Sequence, residues 1–305
     1  MTCASIQTMH EASRICDYED STYRSDFWED QRREYEDLAE RIALRRLLPP
    51  TGRRLLDIGA GFGRLSEFYR GYDEIVLLDY SRSLLREAQS RLGCDGSIKY
   101  VASDVYAMPF AHGAFDAAMM VRVMHHVEDV PTLLGQVARV LDRNGTYVLE
   151  FASKHHLKSM LRYAARRQQW SPYDQTPYEF VEMNFNFHPS WMRDRLHGAG
   201  FHVKRQLTVS HFRLAPLKRL VPPRFLAALD GLCQPTGNWW QLTPSVFVLC
   251  TVDKPASDPS HDLFHCPDCG STHLDESDEA ITCTHCGHRW PIDDGIYDFK
   301  SPLPA

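Results

Sequence analysis

Four cysteines near the end of the chain have the spacing of a metal site. They form two CxxC pairs, separated by thirteen residues and each followed by glycine: Cys266, Cys269, Cys283 and Cys286. Two such turns can present four thiolates at the corners of a tetrahedron, which is the usual ligand set of structural Zn2+. The same thiolates can hold iron, and His265, His285 and His288 are alternative ligands nearby. The spacing favours Zn2+, which would stabilise a segment too short to bury a large core.

A second group of residues with chemical meaning lies near residue 60. An aspartate is followed by glycine at every second position: Asp57, Gly59, Gly61 and Gly63. Glycines at a turn from strand to helix allow the backbone to approach a ligand closely. Asp79 lies 20 positions after Gly59, where a carboxylate can accept hydrogen bonds from ribose hydroxyls. A dinucleotide also fits these features, but its fingerprint requires Gly or Ala where this chain has Arg64, which counts against NAD.

The elements that must position these residues alternate between strand and helix. The apolar pattern of buried strands occurs in RRLLDIGAG, EIVLLDYS, IKYVASD, FDAAMMVRVMHHV and TYVLEF. The pattern of helices occurs between them in RLSEFYRG, SLLREAQSRLG and PTLLGQVARVLDRNG, the first two ending at Gly71 and Gly93. This order predicts a mostly parallel, doubly wound α/β sheet that binds its ligand at the carboxyl ends of the strands.

Four segments of this region resemble, in order, the motifs of the class I S-adenosylmethionine (SAM) dependent methyltransferases. The similar segments are LLDIGAGFGRL, VLLDYS, ASDVYAMPF and FDAAMMVRVMHHV. The resemblance covers about residues 35–150 and continues more weakly to about 252. It implies a Rossmann-like SAM-methyltransferase sheet, with SAM as the donor of a methyl group to an oxygen, nitrogen or carbon nucleophile.

The resemblance also implies which residues bind SAM. The glycine-rich loop would surround the methionine part of SAM with five residues: Asp57, Gly59, Ala60, Gly61 and Gly63. Asp79 would hold the ribose, and Tyr80 would lie near the adenine. Asp104 would accept a hydrogen bond from the adenine amino group, with a backbone donor from Val105 beside it. Arg122 would lie where the fourth strand opens onto the sulfonium.

Two adjacent histidines follow the predicted fourth strand. In methyl transfer the leaving group of SAM is already activated, so the protein mainly needs to align the nucleophile and exclude water. If the acceptor is a hydroxyl, a base near this strand would help, with His126 as the first candidate and His125 as the second. The alternative is a structural histidine that packs under the following loop.

The segments that flank the motifs are expected to form the acceptor pocket. Residues 1–50 predict a helical N-terminal cap whose aromatic side chains could close over the cofactor: Tyr18, Tyr23, Phe27 and Trp28. An insertion at about 152–190 begins with a basic amphipathic helix that carries five cations: Lys154, Lys158, Arg162, Arg166 and Arg167. This segment, 154–167, could contact RNA or another phosphate, contact a membrane surface, or form a solvated lid, which we favour.

The end of the chain carries a second resemblance. The segment HRWPIDDGIYDF is similar to the ending of small zinc-binding proteins that partner and activate methyltransferases acting on tRNA, rRNA and release factors. The cysteine spacing predicts a zinc ribbon at 261–305, and a segment rich in Pro, Ser and Asp predicts a linker at 253–260 to a methyltransferase domain at 51–252. The resemblance implies that the ribbon docks intramolecularly on that domain. Residues 258–305 carry 2 Lys/Arg and 10 Asp/Glu, whereas 151–230 carry 13 and 5. We therefore expect the acidic tail to face the basic insertion.

Length and composition narrow the classes of function. A chain of 305 residues, 43% of them hydrophobic, can bury the core of an enzyme. No segment approaches the roughly 20 apolar residues that span a bilayer, and the first residues lack the pattern of a signal peptide, so we predict a cytoplasmic location. A small-molecule acceptor is favoured. The alternatives are an RNA or protein methyltransferase with an activator domain in cis, and a non-catalytic scaffold with the SAM fold.

Overall fold

Five parallel strands form the centre of the protein, which a computed structural model describes over residues 14–19, 33–94, 96–254 and 260–304. The strands follow one another along the chain: β1 Gly52–Ile58, β2 Tyr72–Asp79, β3 Ile98–Ala102, β4 Phe115–Met120 and β5 Leu141–Ala152. They lie side by side in the order β3-β2-β1-β4-β5, and all neighbours are parallel. Because the chain order reverses between β1 and β4, a crevice opens at their carboxyl ends. The predicted doubly wound sheet is confirmed.

Two antiparallel strands extend the sheet beyond β5. They are β8 Phe201–Val209 and β9 Ser245–Val252, in the order β5-β9-β8. β9 pairs with β5 along its length, and its first residue, Ser245, lies opposite Ala152 at the end of β5. The predicted last strand is therefore confirmed. The connection between β8 and β9 lies at the carboxyl edge of the parallel strands.

Helices cover both faces of the sheet. α1 Glu34–Leu47 and α2 Arg82–Leu92 pack on one face, and α3 Val130–Val140 and α5 Pro189–Gly198 pack on the other. Successive strand side chains point to opposite faces, so Leu55 joins the core under α1 and Leu56 joins the core under α3. α2 and α3 begin where the side chains of Ser81 and Asp129 accept hydrogen bonds from backbone N–H groups of the first turn.

The helix predicted at RLSEFYRG is wrong. In its place the chain forms turns and one short 3-10 helix at Ser66–Phe68. Tertiary contacts hold this segment: Arg41 of α1 donates to the carbonyl oxygen of Arg64 at 3.0 Å, and the Tyr69 hydroxyl donates to Asp57 at 2.6 Å. These contacts outweigh the modest helix propensity of a segment that contains two aromatic residues.

The predicted N-terminal cap is only partly described. Its helix is α1, and Tyr18 lies in the irregular segment 14–19. The predicted aromatic residues Tyr23, Phe27 and Trp28 lie outside the described residues.

The chain between β5 and β9 supplies the other elements that flank the carboxyl edge. The insertion after β5 contains α4 Leu157–Ala164, β6 Tyr178–Val181 and β7 Asn184–Asn186, and the β8–β9 connection contains α6 Ala215–Leu220 and α7 Pro223–Cys233. The helix predicted within 154–167 is α4, which has 8 residues. Within the described parts of the chain, no helix is both long enough and apolar enough to cross a membrane.

The C-terminal segment forms four short strands. They are β10 Leu274–Glu276, β11 Ala280–Cys283, β12 Arg289–Asp293 and β13 Ile296–Asp298, each antiparallel to the next. β13 also pairs in parallel with β3, from Ile296 opposite Tyr100 to Asp298 opposite Ala102. The result is a single sheet of 11 strands in the order β10-β11-β12-β13-β3-β2-β1-β4-β5-β9-β8.

Apolar and charged contacts accompany the pairing of β13 with β3. The Phe264 ring stacks on Phe110, with centroids 6.0 Å apart. Asp293 pairs with Arg86 of α2 at 2.7 Å. The expectation that the acidic tail faces the basic insertion is wrong, because the tail adds to the sheet at β3 whereas the insertion follows β5 on the other side of β1.

Candidate active site and metal site

A cavity at the carboxyl ends of β1, β2 and β4 brings together residues from the predicted motifs. Seven of the predicted site residues line it: Gly59, Gly61, Asp79, Tyr80, Val105, Arg122 and His126. A smaller cavity beneath the glycine loop shares Gly59, Gly61 and Arg122 and adds Asp57 and Ala60. Three predicted residues, Gly63, Asp104 and His125, do not line either cavity. The crevice is thus where the sheet topology predicts a ligand.

The glycine loop after β1 depends on two glycines with different surroundings. Gly59 has φ of 68°, and a Cβ atom there would lie 2.3 Å from Cγ2 of Val123. Gly61 has φ of 53°, and nothing lies within 4 Å of a Cβ placed there. Gly59 therefore allows close packing against the segment after β4, whereas Gly61 leaves open space in the crevice.

This difference predicts that alanine at Gly59 lowers the free energy of unfolding more than alanine at Gly61 does. Gly59→Ala combines backbone strain with a clash, so its free energy of unfolding should fall by about 3 kcal/mol. Gly61→Ala introduces only the backbone strain of a positive φ, so we expect its free energy of unfolding to fall by about 1 kcal/mol. Urea denaturation of the two variants beside the unmodified protein measures both values. Equal losses in the two variants would contradict the assigned packing.

Asp79 ends β2 with both carboxylate oxygens facing backbone donors. Its Oδ2 accepts from the Gly61 N–H at 2.8 Å, and its Oδ1 accepts from the Ser81 N–H at 2.9 Å. Burial raises the pKa of the Asp79 carboxyl to about 6, although these N–H groups favour its charged form. Asp79 thus fixes the glycine loop and still lines the cavity.

Asp57 lies deeper, at the base of the glycine loop. Its Oδ2 accepts the hydroxyl of Tyr69 at 2.6 Å. Burial raises the pKa of the Asp57 carboxyl to about 7, and the Tyr69 hydrogen bond and the nearby Arg64 oppose this rise. Asp57 therefore holds the segment after the loop in place.

The turn after β3 forms another wall of the cavity. Asp104 accepts from the Tyr106 N–H at 2.8 Å, and burial raises the pKa of its carboxyl. The Tyr106 hydroxyl accepts from the N–H groups of Glu128 at 3.0 Å and Asp129 at 3.2 Å, which joins this turn to the start of α3. Sequence reasoning missed Tyr106, which lines the cavity next to Val105. An aromatic residue directly after the acidic motif was the available signal.

Arg122 follows β4 in a left-handed conformation with φ of 61°. Its N–H donates to Glu150 of β5 at 3.0 Å, and its guanidinium binds Glu40 of α1, with Nε 3.1 Å from Oε2. Glu40 is buried and also accepts from Arg64 at 3.1 Å. Glu40 and Glu150 were missed, because a buried acid that reaches an arginine far along the chain leaves no local pattern. Glu40 thus pairs with the guanidinium of Arg122, and Glu150 holds its backbone at the crevice.

His126 lies in the cavity in a defined orientation. Its Nδ1 is 2.8 Å from the carbonyl oxygen of Met183, which can only accept, so Nδ1 carries the proton of the neutral ring. Nε2 is then the acceptor for the Tyr18 hydroxyl at 3.0 Å. Burial lowers the pKa of His126 below its usual value. His125 contacts the His126 ring at 4.0 Å between centroids, and burial lowers its pKa strongly.

The segment 14–19 lies across the mouth of the cavity. Arg14 pairs with Glu128 at 2.7 Å, and Glu19 accepts from the N–H groups of Arg82 at 2.7 Å and Ser83 at 3.2 Å at the start of α2. These contacts place Tyr18 against the crevice, where a residue that closes over a ligand was expected.

The four cysteines form a compact group in the C-terminal segment. All four Sγ atoms lie within 4.8 Å of one another: Cys266, Cys269, Cys283 and Cys286. The Sγ atoms of the pairs Cys266–Cys286 and Cys269–Cys283 are both 3.6 Å apart. Thiolates bound to tetrahedral Zn2+ lie about 3.8 Å apart, because each Zn–S bond is about 2.3 Å. The arrangement fits such an ion.

Two of the three histidines considered as alternative ligands, His265 and His288, make other contacts in the structure. His265 donates from Nε2 to the carbonyl oxygen of Met108 at 3.2 Å, since a carbonyl can only accept. His288 pairs with Asp268. Among the described residues, the metal-compatible group contains the four cysteines and no histidine.

The parallel sheet, the glycine loop after β1 and the acid at the end of β2 form the ligand-binding edge of a doubly wound, Rossmann-like fold. Residues 56–149 match the model of a protein family described as a methyltransferase domain. The match begins within β1, ends within β5, and contains the glycine loop, Asp79 and His126. The predicted Rossmann-like sheet is therefore confirmed, and residues 56–149 within it match a methyltransferase domain.

Several curated proteins are similar to this chain. The malonyl-[acyl-carrier protein] O-methyltransferase of Legionella pneumophila is 30% identical over 152 residues, which cover 48% of this chain and 50% of that protein. The ubiquinone/menaquinone biosynthesis C-methyltransferase of Edwardsiella ictaluri is 27% identical over 167 residues, covering 49% of this chain and 66% of that protein. The chain thus spans about half to two thirds of the length of these relatives.

Solved structures share the fold at low sequence identity. One chain of the complex between the Haloferax volcanii Trm112 methyltransferase activator and a methyltransferase superposes with a TM-score of 0.54 and 15% identity, covering 76% of this chain and 96% of that chain. A SAM-dependent methyltransferase from Mesorhizobium loti gives a TM-score of 0.52 and 21% identity, covering 70% and 97%. These similarities concern the fold alone.

Proposed function

We propose that this chain is a SAM-dependent methyltransferase for a small-molecule acceptor, with a structural zinc ribbon docked on its sheet. The observation that carries the proposal is the crevice, where Gly61 leaves open space beside the carboxylate of Asp79 within the matched methyltransferase domain. We keep the predicted domains at 51–252 and 261–305, and the cytoplasmic location, as parts of this proposal.

The residues around the crevice fit SAM. We propose that the loop from Asp57 to Gly63 surrounds the methionine part and that Asp79 orients the ribose through its charged oxygens. Asp104 and the backbone of Val105 would hold the adenine beside Tyr80. Support comes from the open space at Gly61 and from the cavity wall that Tyr80 and Val105 share.

His126 is the proposed acceptor-side base. SAM, when bound, supplies a methyl group on an activated leaving group, so the protein has to place the acceptor and remove its proton. The orientation of His126 leaves Nε2 without a proton, and Nε2 would take the proton of an acceptor hydroxyl that replaces the Tyr18 hydroxyl. His125 does not line the cavity and is the second candidate.

The lowered pKa of His126 gives a testable charge state. Burial disfavours the imidazolium, so the pKa of His126 should lie below the ordinary value of about 6.5, and the ring should be neutral at pH 7. An NMR titration of the ring protons, assigned with His126→Gln, measures this pKa. The expected pKa of His126 is below the ordinary histidine value of about 6.5. A measured value at or above about 6.5 would contradict the buried, Nδ1-protonated arrangement.

The acceptor class is inferred from the relatives. The names of the curated relatives describe O-methyltransferases and C-methyltransferases, and ubiquinone/menaquinone biosynthesis supports a small acceptor here. The alternative, an RNA or protein methyltransferase with an activator domain in cis, is supported by the fold shared with a chain of the Trm112 complex. A non-catalytic scaffold is less favoured, because the crevice retains Asp79 and the glycine loop.

The C-terminal segment is proposed to be a zinc ribbon that docks intramolecularly. Support comes from the four cysteines and from the parallel pairing of β13 with β3. Docking would also reach the crevice, since the Lys300 ammonium donates to the Tyr80 carbonyl oxygen at 3.2 Å and lies 5.0 Å from the Tyr80 ring centroid. Ribbon folding and the shape of the adenine side of the crevice are therefore coupled in this proposal.

The test separates the acceptor classes. The purified protein is incubated with methyl-labelled SAM and with an extract of the cells that produce it, divided into small molecules, RNA and protein. We expect label in the small-molecule fraction, and we expect less label with His126→Ala. Label confined to RNA or protein would favour the alternative, and no transfer to any fraction would overturn the proposed enzyme.

A further inference from the structure

A wide groove lies at the carboxyl edge of the sheet, beyond β5 and separate from the crevice. Its volume is about 1050 Å3, and it is lined by α4, by the segment after β8 and by the segment before β9. The N–H of Leu157 in α4 donates to the carbonyl oxygen of Leu242 at 3.0 Å, which joins two of these three walls. None of the residues that line the crevice lines this groove.

Large apolar side chains are exposed along the groove. The exposed fractions are 56% for Leu157, 61% for Leu161, 55% for Leu214 and 56% for Trp240, and all four line the groove. Trp239 beside them is 74% exposed. Single exposed apolar residues are ordinary on protein surfaces, but a contiguous group around one groove indicates a surface that binds a partner.

Cations are interspersed with these apolar residues. Four of them line the groove and are exposed: Lys158, Arg162, Arg167 and Arg213. The sequence has no Asp or Glu in 151–173, 195–229 or 231–252. His156, at the start of α4, lies close to these cations. Burial and then the charges of Lys158 and Arg162 lower the pKa of His156 to about 4. The acidic C-terminal segment does not neutralise the groove, because it joins the sheet at β3.

We propose that this basic apolar face, formed by Leu157, Lys158, Leu161, Arg162, Leu214 and Trp240, binds the surface of an anionic lipid bilayer. Leucine and tryptophan side chains enter the boundary between head groups and acyl chains, while Lys and Arg pair with anionic head groups. Each cation near such a surface contributes roughly a fivefold gain in affinity.

A bilayer fits this face better than RNA does. Phosphate contacts would use the cations, and Trp239 and Trp240 could stack on bases. RNA has no extended apolar region, however, that could bury the aliphatic side chains of Leu157, Leu161 and Leu214, which are more than half exposed. Lipid contact buries these side chains and pairs the cations with head groups at the same time. The inference is independent of the proposed methyl transfer, because it concerns a separate groove.

The test is flotation of the full-length protein with vesicles, in the absence of SAM. Vesicles of equal parts phosphatidylcholine and phosphatidylglycerol should bind the protein, and vesicles of phosphatidylcholine alone should bind it at least tenfold more weakly. The double variant Lys158→Glu, Arg162→Glu should lose at least tenfold in affinity for the mixed vesicles. Leu157→Ser, Leu161→Ser should lose a similar factor without a change of charge.

The matched control is Arg70→Glu, Arg143→Glu. Both residues are exposed, and they lie just before β2 and near the start of β5, at the amino edge of these strands. This control changes the net charge equally, so an equal loss of vesicle binding in the control and in the Lys158/Arg162 variant would overturn the proposal. Failure of the unmodified protein to bind the mixed vesicles would overturn it too. Binding of single-stranded RNA that requires Lys158 and Arg162, with no vesicle binding, would identify a nucleic-acid surface instead.

Discussion

Removal of the metal from the four cysteines is expected to unfold the C-terminal segment and to expose the β3 edge of the sheet. Structural Zn2+ contributes about 10 kcal/mol of folding free energy in small zinc-binding units, which is more than the apolar burial of so short a segment supplies. Loss of β13 would uncover Phe110, on which Phe264 stacks. The metal-free protein should therefore be cleaved rapidly within 261–304 and should associate through the exposed strand.

This prediction is checked by metal content, limited proteolysis and light scattering. The unmodified protein should hold one zinc ion per chain, and Cys283→Ser should lose both the ion and the resistance to protease. Cys94→Ser is the matched control, since Cys94 is an exposed free cysteine outside the metal-compatible group. Unchanged protease resistance after complete metal removal would contradict the predicted role of the metal. A measured content of one iron ion per chain would mean that the four cysteines bind iron instead of zinc.

Loss of the buried carboxylate of Glu40 should strongly decrease the free energy of unfolding of the domain that contains the crevice. Glu40 is 2% exposed and binds the guanidinium groups of Arg64 and Arg122. Glu40→Ala leaves those two charges in a buried environment without this carboxylate, which costs about 4 kcal/mol in comparable cases. It should also weaken SAM binding, because Arg122 lines the crevice.

Glu67 provides the control for this substitution. It also pairs with two arginines, Arg41 at 3.3 Å and Arg45 at 2.9 Å, but its side chain is 38% exposed. Glu67→Ala should cost less than about 1 kcal/mol, since exposed ion pairs contribute little. Urea denaturation of both variants gives the two free energies of unfolding. Equal decreases in the free energy of unfolding for Glu40→Ala and Glu67→Ala would contradict the claim that burial makes the Glu40 ion pairs more stabilising.

The sequence predicts most of the parallel sheet because its signals are local. The apolar runs of β1 to β5, the end of α2 at Gly93 and the CxxC spacing each involve residues close together in the chain. The glycine loop and Asp79 follow from the same local order. Their meeting at one crevice follows from the topology of a doubly wound sheet.

Features that depend on distant contacts were missed or predicted wrongly. The pairing of β13 with β3 joins residues almost 200 positions apart, from Ile296 to Tyr100, and β13 has only 3 residues. From net charge alone we expected the acidic tail to face the basic insertion, but sheet pairing and apolar packing place the tail at β3. The segment after Gly63 loses its predicted helix to hydrogen bonds with α1 and β1. Tertiary contacts override local preference in each case.

The central claim is tested most directly by calorimetric titration of SAM into the zinc-containing, full-length protein and two aspartate variants. We expect micromolar binding with one site per chain. Asp79→Asn should weaken it on the order of 100-fold, because a neutral amide cannot replace two charge-assisted hydrogen bonds to the ribose. Asp73→Asn is the matched control: Asp73 lies on the same strand, is exposed, and stands at the opposite edge of the sheet. Micromolar binding that is lost only in Asp79→Asn supports the methyltransferase account, and the absence of SAM binding by the unmodified protein would contradict it.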